Sequence, residues 1–371
     1  MPKKVTILDI ARLAGVSRTT VSRVLNQKGE VDPATRERVQ RIIEEQGFVP
    51  SITAAGLAGG RNRLIGMLVP NFSWPIIPEL MRGIAEVINS TPYELVLYSF
   101  NDEDLSRDRS DIINRVLATQ LTAGILAVFP GGLSQQLTWL YQQGLPVVII
   151  DDQAEQVTPW VRADNITGAY LAVKHLIQLG HRRIAHIQGP VEYLASHDRT
   201  LGFLRALQEA NIIPDPDLVL RGDFLPPSGR SCAAKLFALP PEKRPTAIFA
   251  ATDQMAYGVL VAADEHGLSV PRDVALVGFD DDAPSAYVHP PLTTIRQPSF
   301  EMGKRGMELL LSLVSSAEEP APRRQTSWTL ANPDEAKNHP GALQSVRIEL
   351  PTSLIVRESC GASAHIPLES E

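Results

Sequence analysis

Between Leu64 and Phe279 the chain alternates short apolar runs with amphipathic stretches, and no other feature of its 371 residues restricts the fold as tightly. The runs Leu64–Val69, Glu94–Ser99, Gly124–Val128 and Pro146–Ile150 read as strands, with helices over Glu79–Asn89, Asp104–Ala118 and Gln135–Gln143 between them. That order predicts a parallel, doubly wound α/β lobe. The same grammar then returns: helix Asn165–Leu179, strand Ile184–Ile187, helix His197–Ala210, strand Ala247–Ala250, helix Asp253–His266 and strand Val274–Phe279. Two similar lobes imply a cleft between them. Ligands of open α/β sheets bind beyond the carboxyl ends of the strands, so polar groups that end strands are the candidates for contact.

Hydrophobic residues at 44% and charged residues at 21% give an ordinary soluble balance. The start, Met1-Pro2-Lys3-Lys4-Val5-Thr6, has no long apolar segment, and no later stretch approaches about 18 uninterrupted apolar residues. The expectation is a cytoplasmic protein with no membrane partner. Cys232 and Cys360 are isolated and far apart, so they read as inert thiols. The net charge of -7 conceals a division. Eleven basic residues against six acidic ones give +5 over residues 1–63, leaving -12 for the rest. Attraction to phosphate is therefore concentrated in a basic head, although solvated helix surfaces carry similar charge.

Within that head, Thr6 and Asp9 form a capping-box pattern that opens a helix over Ile7–Ala14, with Ile10, Ala11 and Ala14 on one face. Gly15 ends it. Ser17 then caps a second helix through Leu25, turning Val21, Val24 and Leu25 inward and leaving Arg18, Thr19, Ser22 and Arg23 outward. Two short helices around a tight Gly turn make a helix-turn-helix. Asp32 and Pro33 start a third helix that carries Val39, Ile42 and Ile43 and stops at Gly47, which closes a small all-α core.

The run from Thr6 through Ile-Leu-Asp-Ile-Ala-Arg-Leu-Ala-Gly-Val-Ser-Arg-Thr-Thr-Val-Ser-Arg-Val-Leu to Asn26 resembles the head of the lactose-repressor (LacI/GalR) family of regulators. Gly-Phe-Val-Pro50 and Leu-Ile-Gly-Met-Leu-Val-Pro70 continue the likeness. So do Asp164-Asn165, Leu-Gly-His-Arg-Arg-Ile-Ala-His186, Thr252-Asp253-Gln-Met-Ala256, Val-Gly-Phe-Asp-Asp281, Pro-Leu-Thr-Thr-Ile-Arg-Gln-Pro298 and Leu-Ile-Val-Arg-Glu-Ser359. In such proteins the second helix enters the major groove, which assigns base reading to Arg18 and Thr19 and a guanine or phosphate contact to Arg23. Thr6, Ser17, Thr20, Asn26 and Thr35 are assigned to phosphates, though the same residue types also cap helices. Residues 51–63 match the family's hinge helix, and Leu57 matches the side chain that wedges into the minor groove. Ala55 and Gly56 depart from the Arg or Gln many relatives carry, and Gly59-Gly60 follows the wedge. Glycine costs a helix about 1 kcal/mol per position, so this segment is expected to form a helix only on DNA, or to serve as a flexible linker.

The resemblance also implies a two-lobed sensor domain like the periplasmic sugar-binding proteins, with Asp151, Arg199, Thr252 and Asp280 facing a small-molecule effector. Phe224, Gln297 and the loop from Asn71 to Ile77 supply further lining. Carboxylates with an Arg suit hydroxyl groups that both donate and accept, which favours a sugar or sugar derivative. A solvated capping loop is the other reading of Asp280-Asp281-Asp282. Thr252 stands where many relatives have Asn, and Ile76-Ile77 where many carry aromatics. No HExxH, Walker A or GxSxG motif is present and the eight His residues are scattered, so no catalytic residue, metal site or cofactor is expected.

The expected organisation is a helix-turn-helix domain over 1–50, a hinge over 51–63 and a two-lobed effector-binding and dimerisation domain over 64–360. Lobe one takes about 64–161 and 293–320, and lobe two about 162–292 and 321–360. The chain crosses between them near Trp160–Asp164, near His289–Gln297 and after the last long helix. Residues 317–345 read as an exposed Pro-rich insertion, and the tail 361–371 has no heptads for a tetramerisation helix. The function expected is a homodimeric, allosteric repressor of double-stranded operator DNA. The rivals are a sugar-binding receptor of the periplasmic class, which would require export, and a sugar-modifying enzyme in the same cleft.

Overall fold

The computed structural model describes residues 5–25, 31–48, 63–70, 74–99, 122–151, 157–318 and 346–362. The chain divides into two compact units, Met1–Asn62 and Arg63–Glu371. Asn26, the hinge segment with Leu57, the expected helix Asp104–Ala118, most of the Pro-rich insertion and nearly all of the tail lie outside the described residues.

The first unit holds α1 (Ile7–Ala14), α2 (Arg18–Leu25) and α3 (Pro33–Glu45). Thr6 and Asp9 complete a reciprocal capping box at the start of α1, and Gly15 ends the helix with φ 63°, in the left-handed region that glycine enters at no steric cost. Ile10, Ala11, Ala14, Val21, Val24 and Val39 make the buried core, with Ile42 and Ile43 half-buried against it. The helix boundaries follow the capping residues that the sequence displays.

The second unit is built on two six-stranded sheets. The first runs β11-β5-β4-β3-β1-β2, where β1 is Leu64–Val69, β2 Glu94–Ser99, β3 Thr122–Val128, β4 Val147–Ile150, β5 Trp160–Ala163 and β11 Arg347–Leu350. The second runs β12-β10-β9-β8-β6-β7, where β6 is Ile184–Gln188, β7 Val219–Arg221, β8 Ala247–Ala250, β9 Ala275–Asp280, β10 Thr293–Arg296 and β12 Ser353–Ile355. Every pairing is parallel except β10 with β12. Central strands such as β3, β4 and β8 are buried almost throughout, as parallel strands covered on both faces must be.

The covering helices of the first sheet include α4 (Ile76–Ile88), α5 (Ser134–Gln142) and α10 (Ser299–Glu318); those of the second are α6 (Asn165–Gln178), α7 (Leu194–Glu209), α8 (Pro226–Phe237) and α9 (Asp253–Glu265). Helices α4 and α10 meet backbone to backbone. A Cβ on Gly83 would strike the Phe300 carbonyl, and one on Gly303 would strike that of Leu80. That approach seals the core formed by Ile65, Met67, Leu80, Ile84, Leu126, Met302 and Leu310.

Two strands belong to the opposite lobe from the one expected. Residues 293–296 pair in register with β9 and extend the second sheet before the chain crosses, so lobe one receives α10 but not β10. Residues 347–350 pair with β5 and close the edge of the first sheet, so the last crossing comes at Pro351-Thr352, after a strand and not directly after the long helix. The first crossing follows Ala163, which places 162 and 163 in lobe one. Strands of four residues carry too little periodicity to declare their partner in advance; backbone pairing decides it.

Candidate functional site

Asp151, Arg199, Phe224, Thr252, Asp280 and Gln297 line one cleft between the lobes, although 146 residues separate the first from the last. Asp151 lies at the carboxyl end of β4 and Asp280 ends β9. Arg199 sits in the second turn of α7, and Gln297 follows β10 at the second crossing. Both acids have positive φ, 57° for Asp151 and 124° for Asp280, so the backbone turns sharply where each carboxylate meets the cleft.

Arg199 is 3% exposed and organises the floor. Its Nε donates to Asn165 Oδ1 at 2.9 Å, and its Nη1 donates to the Ala251 carbonyl at 2.5 Å and to Asp280 Oδ1 at 3.4 Å. The guanidinium lies 3.8 Å from the Phe279 ring centroid, which holds it flat. Gln297 Nε2 donates to the same Asp280 oxygen at 2.6 Å, while its buried Oε1 has no partner among the described residues. Burial pushes the Asp280 carboxyl up to about 7 despite Arg199, with Asp282 adding repulsion. Behind it Asp253 is completely enclosed; it accepts hydrogen bonds from the Asp282 amide, Ser285 and Thr294, and burial together with Asp280 and Asp282 holds its carboxyl well above the usual carboxylate range.

Thr252 reaches the cleft with its hydroxyl already engaged. Oγ1 accepts from the Met255 amide at 3.2 Å, capping α9, and donates to the Phe224 carbonyl at 3.3 Å. It therefore fixes Phe224, whose φ of 71° turns the ring over Gly189. Asp281 points away from the cleft and binds Arg296 and Arg357, and Asp282 accepts from Gln254, so the three successive acids have three separate environments.

The upper wall is aromatic. Trp74 and Phe129 come from lobe one, Tyr193 and Phe224 from lobe two. Trp74 lies 5.5 Å from Phe129, 5.6 Å from Tyr193 and 6.4 Å from Phe224 between centroids, with interplanar angles of 56°, 63° and 81°. Edge-to-face contact of this kind is the preferred aromatic geometry. Phe129, Tyr193 and Asn165 were not singled out as site residues from sequence. Asn165 was visible as half of the Asp164-Asn165 motif; the two rings sit in turns with no periodic signal.

In the first unit Arg18 and Thr19 are exposed at the start of α2, and Arg23 is exposed one turn on. The hydroxyls assigned to phosphates are also engaged at the helix starts, Thr6 and Ser17 as caps and Thr20 and Thr35 bonded to the capping side chain. Thr6 Oγ1 donates to Asp9 at 2.6 Å, Thr35 Oγ1 donates to Asp32 at 3.1 Å, and Ser17 shares a 2.9 Å hydrogen bond with Thr20. Among the described residues, no group of three or more His, Cys, Asp or Glu is placed to hold a metal ion, and no helix is long and apolar enough to cross a membrane.

A capped helix-turn-helix head joined to a two-lobed α/β domain with an interlobe cleft defines the class: a ligand-responsive DNA-binding regulator. Residues 6–51 match the bacterial regulatory proteins of the lacI family, and residues 173–332 match the periplasmic binding protein-like domain. The HTH-type transcriptional repressor PurR of Aliivibrio fischeri is 37% identical over 84% of this chain and 93% of its own length. Catabolite control protein A of Priestia megaterium is 35% identical over 82% and 91%. Among solved structures, the lac repressor dimer bound to operator and the anti-inducer ONPF aligns with a TM-score of 0.80 at 27% identity, over 96% of this chain and 99% of that one. The transcriptional regulator CelR in complex with cellobiose aligns with a TM-score of 0.67 at 31% identity, over 96% and 99%. The chain belongs to the lacI family of bacterial regulatory proteins, and it is a transcription regulator, not an enzyme.

Proposed function

We propose that this protein is an allosteric transcription repressor of the cytoplasm that binds an inverted-repeat operator as a homodimer and responds to a neutral carbohydrate. One recognition helix reads only a few base pairs, so a two-fold dimer on a near-palindrome supplies the remaining specificity. Arg18, Thr19 and Arg23 carry base reading, and Leu57 carries the minor-groove wedge.

The convergence of Asp151, Arg199, Asp280 and Gln297 under an aromatic wall supports the carbohydrate. Hydroxyls donate to the two carboxylates and to Gln297 Oε1, and accept from the guanidinium. Arg199 already serves three acceptors, the Asp280 carboxylate among them, so among the described residues the floor has no spare positive charge for a phosphate. Trp74 stands steeply tilted to each of its three aromatic neighbours, which suits the C–H face of a pyranose better than a planar base needing a parallel slot. The CelR–cellobiose complex among the structural neighbours points the same way.

A thermal-shift panel of mono- and disaccharides, sugar phosphates and nucleobases on the full chain tests this. Stabilisation by one or more neutral sugars is expected. Stabilisation by phosphates or nucleobases alone would contradict it.

A further inference from the structure

We propose that Asn165 is a positioning residue that sets the angle between the lobes and ties it to occupancy of the cleft. Asn165 is 2% exposed and does not line the cleft itself. It is the first residue of α6, immediately past the first crossing, and its amide is held from both sides. Nδ2 donates to Asp151 Oδ1 and to the Ala163 carbonyl, each at 3.2 Å, and both acceptors belong to lobe one. Oδ1 accepts from Arg199 Nε at 2.9 Å, in lobe two.

The amide therefore joins Asp151, a lobe-one acid of the cleft floor, to Arg199 of lobe two. The chain of hydrogen bonds runs from Asp151 through Asn165, Arg199 and Asp280 to Gln297, which lies on the second crossing. Both amide protons and the oxygen are used, and a flipped amide would set its oxygen against the Asp151 carboxylate, so only one orientation satisfies the site. Rotation of the lobes about the crossing at 163–165 separates groups that this single amide holds together. One contact set or the other must break, which gives the hinge a preferred closed angle.

A ligand that engages Asp151 or Arg199 competes with or reinforces the same bonds, and so biases that angle. This last step rests on the cleft being the effector site; the hinge role itself does not. Asparagine suits the position because it alone among residues of its size offers donors at one end and an acceptor at the other. Aspartate keeps the acceptor for Arg199 but places a carboxylate against Asp151.

The test is a distance measurement between spin labels on the full chain without added ligand. Gln143→Cys in lobe one and Lys243→Cys in lobe two are both exposed, while native Cys232 and Cys360 are buried. Labelled chain is diluted with unlabelled chain so that only intrachain pairs are read. Asn165→Ala and Asn165→Asp should each shift the interlobe distance to a longer mean with a broader spread than the parent. If Asn165→Ala lowers the melting temperature and leaves the distance unchanged, the residue is merely structural and the proposal fails. A parental distance in Asn165→Asp would overturn it equally, since the Asp151 bond would then hold nothing. Asn165→Ser replaces the Ala variant should that one not fold. Because no effector or operator enters the measurement, its failure is separate from failure of the carbohydrate reading.

Discussion

Lowering the pH should release a carbohydrate effector while making the sensor unit more stable, and the opposite signs are diagnostic. Asp280 accepts from Arg199 and Gln297 on the cleft floor, and burial pushes its carboxyl up to about 7. A sugar hydroxyl donates well only to the ionised acid. If binding requires that form, affinity declines about tenfold for each pH unit well below 7, or about 1.4 kcal/mol. Between pH 8 and pH 5 the loss is about 90-fold, about 2.7 kcal/mol. Folding moves the other way. An unfolded aspartate titrates near about 3.9, so from there up to about 7 the folded state binds the extra proton. The contribution of Asp280 to stability is thus fully present at acid pH and is lost as pH rises through 7. Isothermal titration calorimetry at four pH values reads the affinity, and urea unfolding at the same values reads the stability. Asp280→Asn should flatten the pH dependence of affinity and lessen that of stability, to which Asp253 and Asp282 also contribute. Affinity that is constant from pH 8 to 5 in the parent, or a pH dependence unaltered in Asp280→Asn, would refute the reasoning.

Arg199→Ala removes three hydrogen bonds from the cleft floor and leaves Asp280 without its cation, so effector affinity should fall at least about tenfold by calorimetry, with operator binding retained. Trp74→Ala strips the ring that meets Phe129, Tyr193 and Phe224, and should weaken the effector by about 1 to 3 kcal/mol in the same assay while leaving the pH dependence in place. Thr6→Ala breaks the capping box of α1 and should cost the head about 1 kcal/mol, seen as a lowered unfolding midpoint. Leu57→Ala should reduce operator bending in a fluorescence assay and leave effector affinity nearly unchanged; an undiminished bend would remove the wedge assignment.

The head was legible almost residue by residue because its boundaries are set by local chemistry. Thr6 with Asp9, Gly15, Ser17 and Asp32-Pro33 each act within four residues of themselves; the three helices begin where those groups direct, and α1 ends at Gly15. The long buried strands were legible for a related reason, since an apolar run such as Leu64–Val69 has few other fates. Helix α8 escaped because it opens with Pro-Pro-Ser-Gly, a sequence that reads as a turn and becomes helical only because the prolines occupy its first positions and Gly229 packs against the Met255 backbone. The six cleft residues could be named from family resemblance, but their geometry could not. That Thr252 also holds the Phe224 carbonyl and that Asn165 bridges Asp151 and Arg199 depends on contacts across 28, 14 and 34 residues, which no local pattern encodes.

If one chain couples operator binding to carbohydrate binding, each ligand must change the affinity for the other. Fluorescence anisotropy of the full chain on an inverted-repeat duplex selected from random sequence, with and without the saturating sugar that stabilises it most, measures that coupling directly. A change in operator affinity of about 5- to 150-fold, corresponding to about 1 to 3 kcal/mol and absent in Arg199→Ala, is the predicted result. Equal operator affinity with and without a sugar shown to bind would contradict the account.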